Sequence, residues 1–179
     1  MSDQEILQLI RNSDSRNYGF NLLIRKYQNK VYMHIRRLVI DHSDTDDVIQ
    51  NTFIKVWDHI DTFREDSQLF TWIYRIATNE SLSFLKKKKI RHFIPFTNIA
   101  YKLANTLEED PYFEGDAIQK KLYEAILQLP KKQKLVFNMK YFDELKYEEI
   151  SKILGTSVGA LKTSYHLAVK KIKNHLNAN

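Results

Sequence analysis

Between Phe63 and Asn79 the chain sets aromatic rings, Phe63, Trp72 and Tyr74 among them, beside Arg64, Ser67, Arg75 and Asn79, and the lysine run that includes Lys86 and Lys87 follows. Rings that receive unstacked bases, amides that read base edges and cations that follow a phosphate backbone are the equipment of single-strand nucleic-acid recognition. Aromatics at helical spacing equally suit an ordinary core, and for Trp72 and Phe70 the sequence leaves both readings open. A second set is Ser157, at the head of a stretch from Val158 to Asn179 that contains no acid, with Lys162, Thr163, His166 and Lys170 within it. Short hydrogen-bonding side chains and lysines on one helix suit a duplex major groove lined by phosphates; a helical hairpin with a solvated lysine face is the alternative. A third set, Asp44 to Trp57, suits an acidic solvated face, a protein-binding face or a divalent-metal site. Metal fits least, because Asp44, Asp46 and Asp47 fall on different helix faces and no EF-hand spacing follows. A metal hydrolase built on His42, Asp44 and Asp46 is disfavoured by the same geometry and would require tight stoichiometric divalent binding.

These residues need helices to hold them. Phe20, Leu23, Tyr27, Val31, Ile35 and Leu38 recur at steps of three and four, which predicts one amphipathic helix ending near Asp41–Ser43. A second begins near Asp44, with acids at the positive end of its dipole and Ile49, Phe53, Val56, Trp57 and Ile60 as its apolar stripe. A third runs from about Ser67 to Lys89 with Phe70, Ile73, Ile76, Ala77 and Leu85 near one face. Periodicity is lost from Ile90 to Gly115, where Pro95 and Pro111 disfavour helix in the residues before them. Phe93, Ile94, Phe96, Ile99, Tyr101 and Leu103 in this linker suit docking in a groove on a partner.

Helical spacing resumes near Asp116 with Ile118, Leu122, Ile126 and Leu129, closed by Pro130, and continues over Lys131–Phe142 with Leu135, Val136 and Met139 inward. Two further helices, Tyr147–Leu154 and Val158–Asn174, flank Gly155-Thr156-Ser157. Gly155 supplies a turn residue at positive φ, Ser151 is small where two helices cross, and Ser157 is placed to cap the next helix. Leu161, Tyr165, Ala168 and Ile172 face inward. The expected fold is all-α, with two small helical domains, residues 1–90 and 116–179, joined by a flexible linker at 91–115.

Composition narrows the function. With 4 Gly and 3 Pro in 179 residues, folds that need many tight turns and Gly-rich nucleotide loops are disfavoured. The absence of cysteine excludes disulfides, thiolate metal sites and cysteine nucleophiles. Met1–Arg11 carries Asp3 and Glu5 and no apolar run of signal-peptide length, so a cytoplasmic location is expected. The net charge of +6 hides a strong segregation: Asp41–Asp66 carries −6, Thr71–Phe93 +5, Pro95–Ala117 −4 and Ile118–Lys173 +7. Two basic blocks with acidic separators predict two polyanion-binding surfaces and an acidic surface for a different partner.

The segments Asp44–Trp57, Phe63–Lys89 with Thr71-Trp72-Ile73-Tyr74-Arg75-Ile76-Ala77, and Leu127-Gln128-Leu129-Pro130-Lys131-Lys132-Gln133 through Tyr147-Glu148-Glu149-Ile150 to Val158-Gly159-Ala160-Leu161-Lys162 occur in an order that resembles the bacterial RNA polymerase sigma factors of the sigma-70 family, extracytoplasmic-function (ECF) group. The resemblance implies that Asp46, Asp47, Gln50 and Asn51 grip the clamp helices of the largest polymerase subunit. It implies that the loop and helix carrying Phe63, Arg64, Ser67, Trp72, Tyr74, Arg75, Asn79, Lys86 and Lys87 melt the −10 element and capture a flipped base. Ser157, Lys162, Thr163, His166 and Lys170 would read the −35 element as duplex, and the linker would thread the RNA exit path. The implied partners are core polymerase, including the flap of its second-largest subunit, promoter DNA and an anti-sigma factor. The resemblance implies no catalysis by the chain itself, no cofactor, no metal and no small-molecule substrate. The family often has Val-Gly-Thr-Val-Lys-Ser-Arg where this chain has Ala160, Leu161, Thr163 and Ser164; without an Arg at Ser164 a strong guanine or phosphate contact is absent. Lys146 likewise stands where Ser or Thr often caps the helix at Tyr147. The alternative to a polymerase subunit is an ordinary helix-turn-helix regulator that acts on duplex DNA alone.

Overall fold

The computed structural model describes the backbone at residues 1–92 and 117–177 and side chains at 1–88 and 121–177. The expected linker, with Phe93, Ile94, Phe96, Ile99, Tyr101 and Leu103, lies outside the described residues. The chain divides into two units, Met1–Phe84 and Leu85–Asn179. Every element in the described residues is helical.

The first unit opens with a helix not among those expected from the sequence, α1 (Asp3–Arg11). Ser2 and Glu5 start it by reciprocal capping: the Glu5 amide donates to Ser2 Oγ at 3.3 Å and the Ser2 amide to Glu5 Oε2 at 2.6 Å. Ile6, Leu7 and Ile10 are its buried face. The chain then turns through Asn12–Ser15, where the Ser15 hydroxyl donates to the Leu9 carbonyl at 2.9 Å. In α2 (Arg16–Val39), Leu23, Tyr27, Val31, Ile35 and Leu38 are buried as their spacing predicts, and His34 joins them. Tyr27 and Lys26 reach back to Asp3, at 2.6 and 2.8 Å, and tie α2 to the start of α1.

The turn from α2 into α3 (His42–His59) is two residues long. Ile40 adopts φ 75°, which costs a β-branched residue energy, but its amide donates to Arg36 at 2.8 Å and its side chain is buried. Asp41 then caps α3 by accepting from the Asp44 amide at 3.0 Å. Val48, Thr52, Phe53 and Val56 face the core, followed by a 3₁₀ turn at Ile60–Thr62.

The next helix, α4 (Leu69–His92), begins in this unit and runs past its boundary at Phe84, and it turns a different face inward from the one expected. Leu69, Ile73, Tyr74, Ala77, Thr78 and Ser81 are buried, whereas Phe70, Ile76 and Leu85 are only half-buried. Thr78 and Ser81 can enter the core because their hydroxyls donate to the carbonyls one turn back, both at 2.8 Å. The single Thr78 proton is thereby used, so the contact between His34 Nε2 and Thr78 Oγ1 at 2.9 Å requires the proton to sit on Nε2.

In the second unit, α5 (Ala117–Leu127) and α6 (Lys131–Tyr141) are separated by Pro130, whose carbonyl accepts from the Lys134 amide at 2.9 Å. Leu135, Val136 and Met139 are buried as expected. Then come α7 (Tyr147–Leu154) and α8 (Val158–Asn177). Ala125, Ile126, Leu129, Phe137, Ala168 and Ile172 form a core, with Tyr165 packed against it. Gly155 has φ 61° and its amide closes α7 on the Ser151 carbonyl at 2.9 Å, the left-handed cap that its position predicts. At the other end of α7, the Lys146 amide donates to Glu149 Oε2 at 2.8 Å, which is one half of a capping box; Lys146 has no side-chain oxygen to make the half that a Ser or Thr would supply. Among the described residues no helix is long and apolar enough to cross a membrane.

Candidate nucleic-acid interface

The α4 residues singled out from sequence separate into two groups. Trp72, Arg75, Asn79 and Lys86 fall on one stripe at helical spacing; Arg75, Asn79 and Lys86 are exposed and Trp72 is half-buried. Lys87 is exposed beside this stripe. Tyr74 corrects the sequence expectation: it is 1% exposed, its hydroxyl donates to the Lys30 carbonyl at 3.0 Å, and its ring lies 4.5 Å from His34 and 4.2 Å from Phe70. A ring so enclosed holds α4 on α2 and cannot receive a base. Phe63 is corrected on the same ground. It is buried, with its ring centroid 5.3 Å from that of Trp72, so it supports Trp72 from below.

Arg64 is exposed and Ser67 half-buried in the loop that joins the 3₁₀ turn to α4. Asp61 in that turn accepts two bonds from Arg16, both at 2.9 Å. Hydrogen bonding from Arg16 holds the Asp61 carboxyl below its ordinary pKa and outweighs the opposing effect of burial.

On α3, Asp46, Asp47, Gln50 and Asn51 are all exposed. Asp47, Gln50, Asn51 and Asp58 share a face with Ile54, an exposed isoleucine at 58% that the sequence reading passed over. A lone apolar residue amid acids was its signal. Asp46 pairs with His42 Nδ1 at 3.2 Å, and that nitrogen also lies 3.1 Å from the Tyr32 hydroxyl. Among the described residues no three His, Asp or Glu side chains are grouped to hold a metal ion.

Ser157, just before α8, and Lys162, Thr163, His166 and Lys170 on it are exposed, and Leu161, Ala168 and Ile172 anchor the opposite face. Ser157 Oγ accepts from the Ala160 amide at 3.4 Å. Lys162 Nζ hovers 5.9 Å from the Tyr147 ring, and the Thr163 hydroxyl donates to the Gly159 carbonyl at 3.1 Å. Leu167, 41% exposed, lies beside Thr163 and Lys170 and was not singled out from sequence. Tyr165 stacks on Phe137 at 5.8 Å and meets Tyr147 edge-on. Burial and the neighbouring Tyr165 push the Tyr147 hydroxyl pKa up.

Residues 23–90 match the family model for sigma-70 region 2, and residues 119–172 match that for sigma-70 region 4. The chain is 30% identical to the RNA polymerase sigma-H factor of Pseudomonas aeruginosa over 97% of its own length and 93% of that protein. The chain belongs to the sigma-70 family, ECF group. This sigma factor is also 29% identical to the ECF RNA polymerase sigma-E factor of Haemophilus influenzae, covering 98% of its own length and 96% of that protein. Its fold is shared with CnrH, solved in complex with the cytosolic domain of CnrY, at a TM-score of 0.72 and 20% identity over 99% of this chain and 98% of the other. It is likewise shared with the sigma factor RpoE of Bartonella quintana, solved with the anti-sigma factor NepR, at a TM-score of 0.70 and 18% identity over 89% and 98% of the two chains. Sigma-factor membership makes DNA binding in transcription initiation the work of this chain.

Proposed function

We propose that the two units of this ECF sigma factor divide promoter recognition between them. In the first, Asp46, Asp47, Gln50, Asn51 and Ile54 form the surface for the clamp helices of the largest polymerase subunit. Trp72, Arg75 and Asn79, with Arg64 and Ser67 beside them, receive the melted non-template strand of the −10 element, and Lys86 and Lys87 follow its backbone. In the second, Ser157, Lys162, Thr163, His166 and Lys170 enter the −35 duplex, and a face of the same unit meets the polymerase flap. An anti-sigma factor that covers these surfaces would hold the protein inactive in the cytoplasm, as a protein without catalytic activity of its own.

The observation that carries this reading is the stripe of Trp72, Arg75 and Asn79, a half-exposed ring followed by a cation and an amide on one helix face. Extruding a base costs a few kcal/mol, and stacking on one aromatic recovers about 1–3 kcal/mol. With Phe63 and Tyr74 enclosed, Trp72 is the platform, so stacking alone does no more than balance opening. The remaining bias comes from backbone neutralisation and from the polymerase. The test is to replace Asp47 and Gln50 together with alanine and measure affinity for core polymerase and for promoter duplex separately. Core affinity falls while duplex affinity holds; a fall in duplex affinity instead would reassign the acidic face.

A further inference from the structure

Two arginines from the N-terminal helices converge on the loop between α3 and α4. Arg16, the first residue of α2, lies 4.7 Å over the Trp57 ring and grips both carboxylate oxygens of Asp61 at 2.9 Å. Trp57 is itself held edge-on by Phe20 at 4.8 Å. Arg11, the last residue of α1, donates to Glu65 Oε1 at 2.6 Å. Glu65 adopts φ 60°, a left-handed conformation that is uncommon and costly for a non-glycine residue. Between these two points Phe63 is buried, its amide donating to the Ile60 carbonyl at 3.1 Å. The loop is thus pinned at its base by Arg16, at its centre by the Phe63 ring and at its tip by Arg11.

We infer that Arg16 and Arg11 are positioning residues that set the conformation of the loop from Asp61 to Ser67, and through it the base selectivity of the surface carrying Arg64, Ser67 and Trp72. The inference rests on the proposed reading of the −10 strand by that surface. Exposed ion pairs by themselves add little to stability. Arg16 differs from an isolated pair because its guanidinium is both bidentate and stacked, which fixes direction as well as distance. Its loss therefore acts on where the loop sits more than on whether the unit folds. A lysine at the same position keeps the charge but not the fork, and does not restore the geometry.

The full-length chain is examined with Arg16→Gln, Asp61→Asn, Arg11→Gln, and the paired reversal of Arg16→Asp with Asp61→Arg. Amide hydrogen exchange reads the brace without reference to function. The Phe63 amide exchanges about tenfold faster in Arg16→Gln and Asp61→Asn, and returns towards wild type in the paired reversal. With core polymerase present, the preference for a −10 single-stranded oligonucleotide over versions with one base changed falls about three- to tenfold in Arg16→Gln, while core affinity holds. Unchanged exchange in both Arg16→Gln and Asp61→Asn would overturn the brace. Faster exchange with an unchanged base preference would overturn its role in selectivity. A wild-type protein that shows no base preference would instead overturn the −10 reading, with the exchange data still deciding the brace.

Discussion

Gly19 on α2 passes so close to α1 that a Cβ placed there would lie 2.9 Å from the Ile10 backbone nitrogen and 2.8 Å from Leu9 Cβ. This approach is what allows a nine-residue helix with three buried side chains to pack firmly. Because backbone lies on one side, Gly19→Ala forces α1 outward and costs about 1–3 kcal/mol. Thermal unfolding checks this, and a melting temperature equal to wild type would show that α1 yields without loss.

The same contact is tied by charge at its other end. Burial raises the pKa of the Asp3 carboxyl, but hydrogen bonds from Lys26 and Tyr27 together with the Lys26 charge outweigh it, and the net shift is downward. A carboxyl depressed in the folded state contributes stability that is present above its unfolded pKa of about 4 and is lost as pH falls through the lower folded value. Acid unfolding followed by circular dichroism therefore loses part of its slope below about pH 4 in Asp3→Asn. An identical acid profile would remove Asp3 from the account.

Left-handed positions give opposite expectations in the second unit. A Cβ at Gly155 meets nothing within 4 Å, so Gly155→Ala carries only the backbone penalty at φ 61°, about 1 kcal/mol. Glu144, exposed at φ 54°, already carries that penalty, and Glu144→Gly stabilises by a few tenths to about 1 kcal/mol. Chemical denaturation of the two variants measures both signs, and equal midpoints would contradict them.

The second unit was the more legible in sequence. α7 was placed at its observed limits, and the positive φ of Gly155 followed from a glycine between two short amphipathic segments. α1 was legible but not read: Ile6, Leu7 and Ile10 share one helical face, and Ser2 and Glu5 spell its capping box. The rotation of α4 was missed because its inward face is written partly in Thr78 and Ser81, which look polar until their hydroxyls bond back to the helix. Once His34, Thr78 and Ser81 are core residues, Tyr74 must follow them inward and leaves the candidate site. Arg16 and Asp61 are 45 residues apart, so no local pattern links them.

Lys162 offers a direct probe of the helix that would enter duplex DNA. Its ammonium is exposed on α8. Lys162→Ala weakens duplex binding and reduces the slope of log affinity against log salt by about 1, because one fewer phosphate-associated cation is displaced. Filter binding across a salt series measures the slope, and an unchanged value would place Lys162 away from DNA.

The division of labour between the two units is tested most directly by mixing the purified chain with core RNA polymerase and mapping single-stranded bases on promoter DNA. The account predicts that the two proteins coelute, that transcription starts at a defined set of sites, and that bases near −10 open only when core is present. A chain that never coelutes with core, and whose footprint on duplex DNA is the same with and without it, would contradict the account.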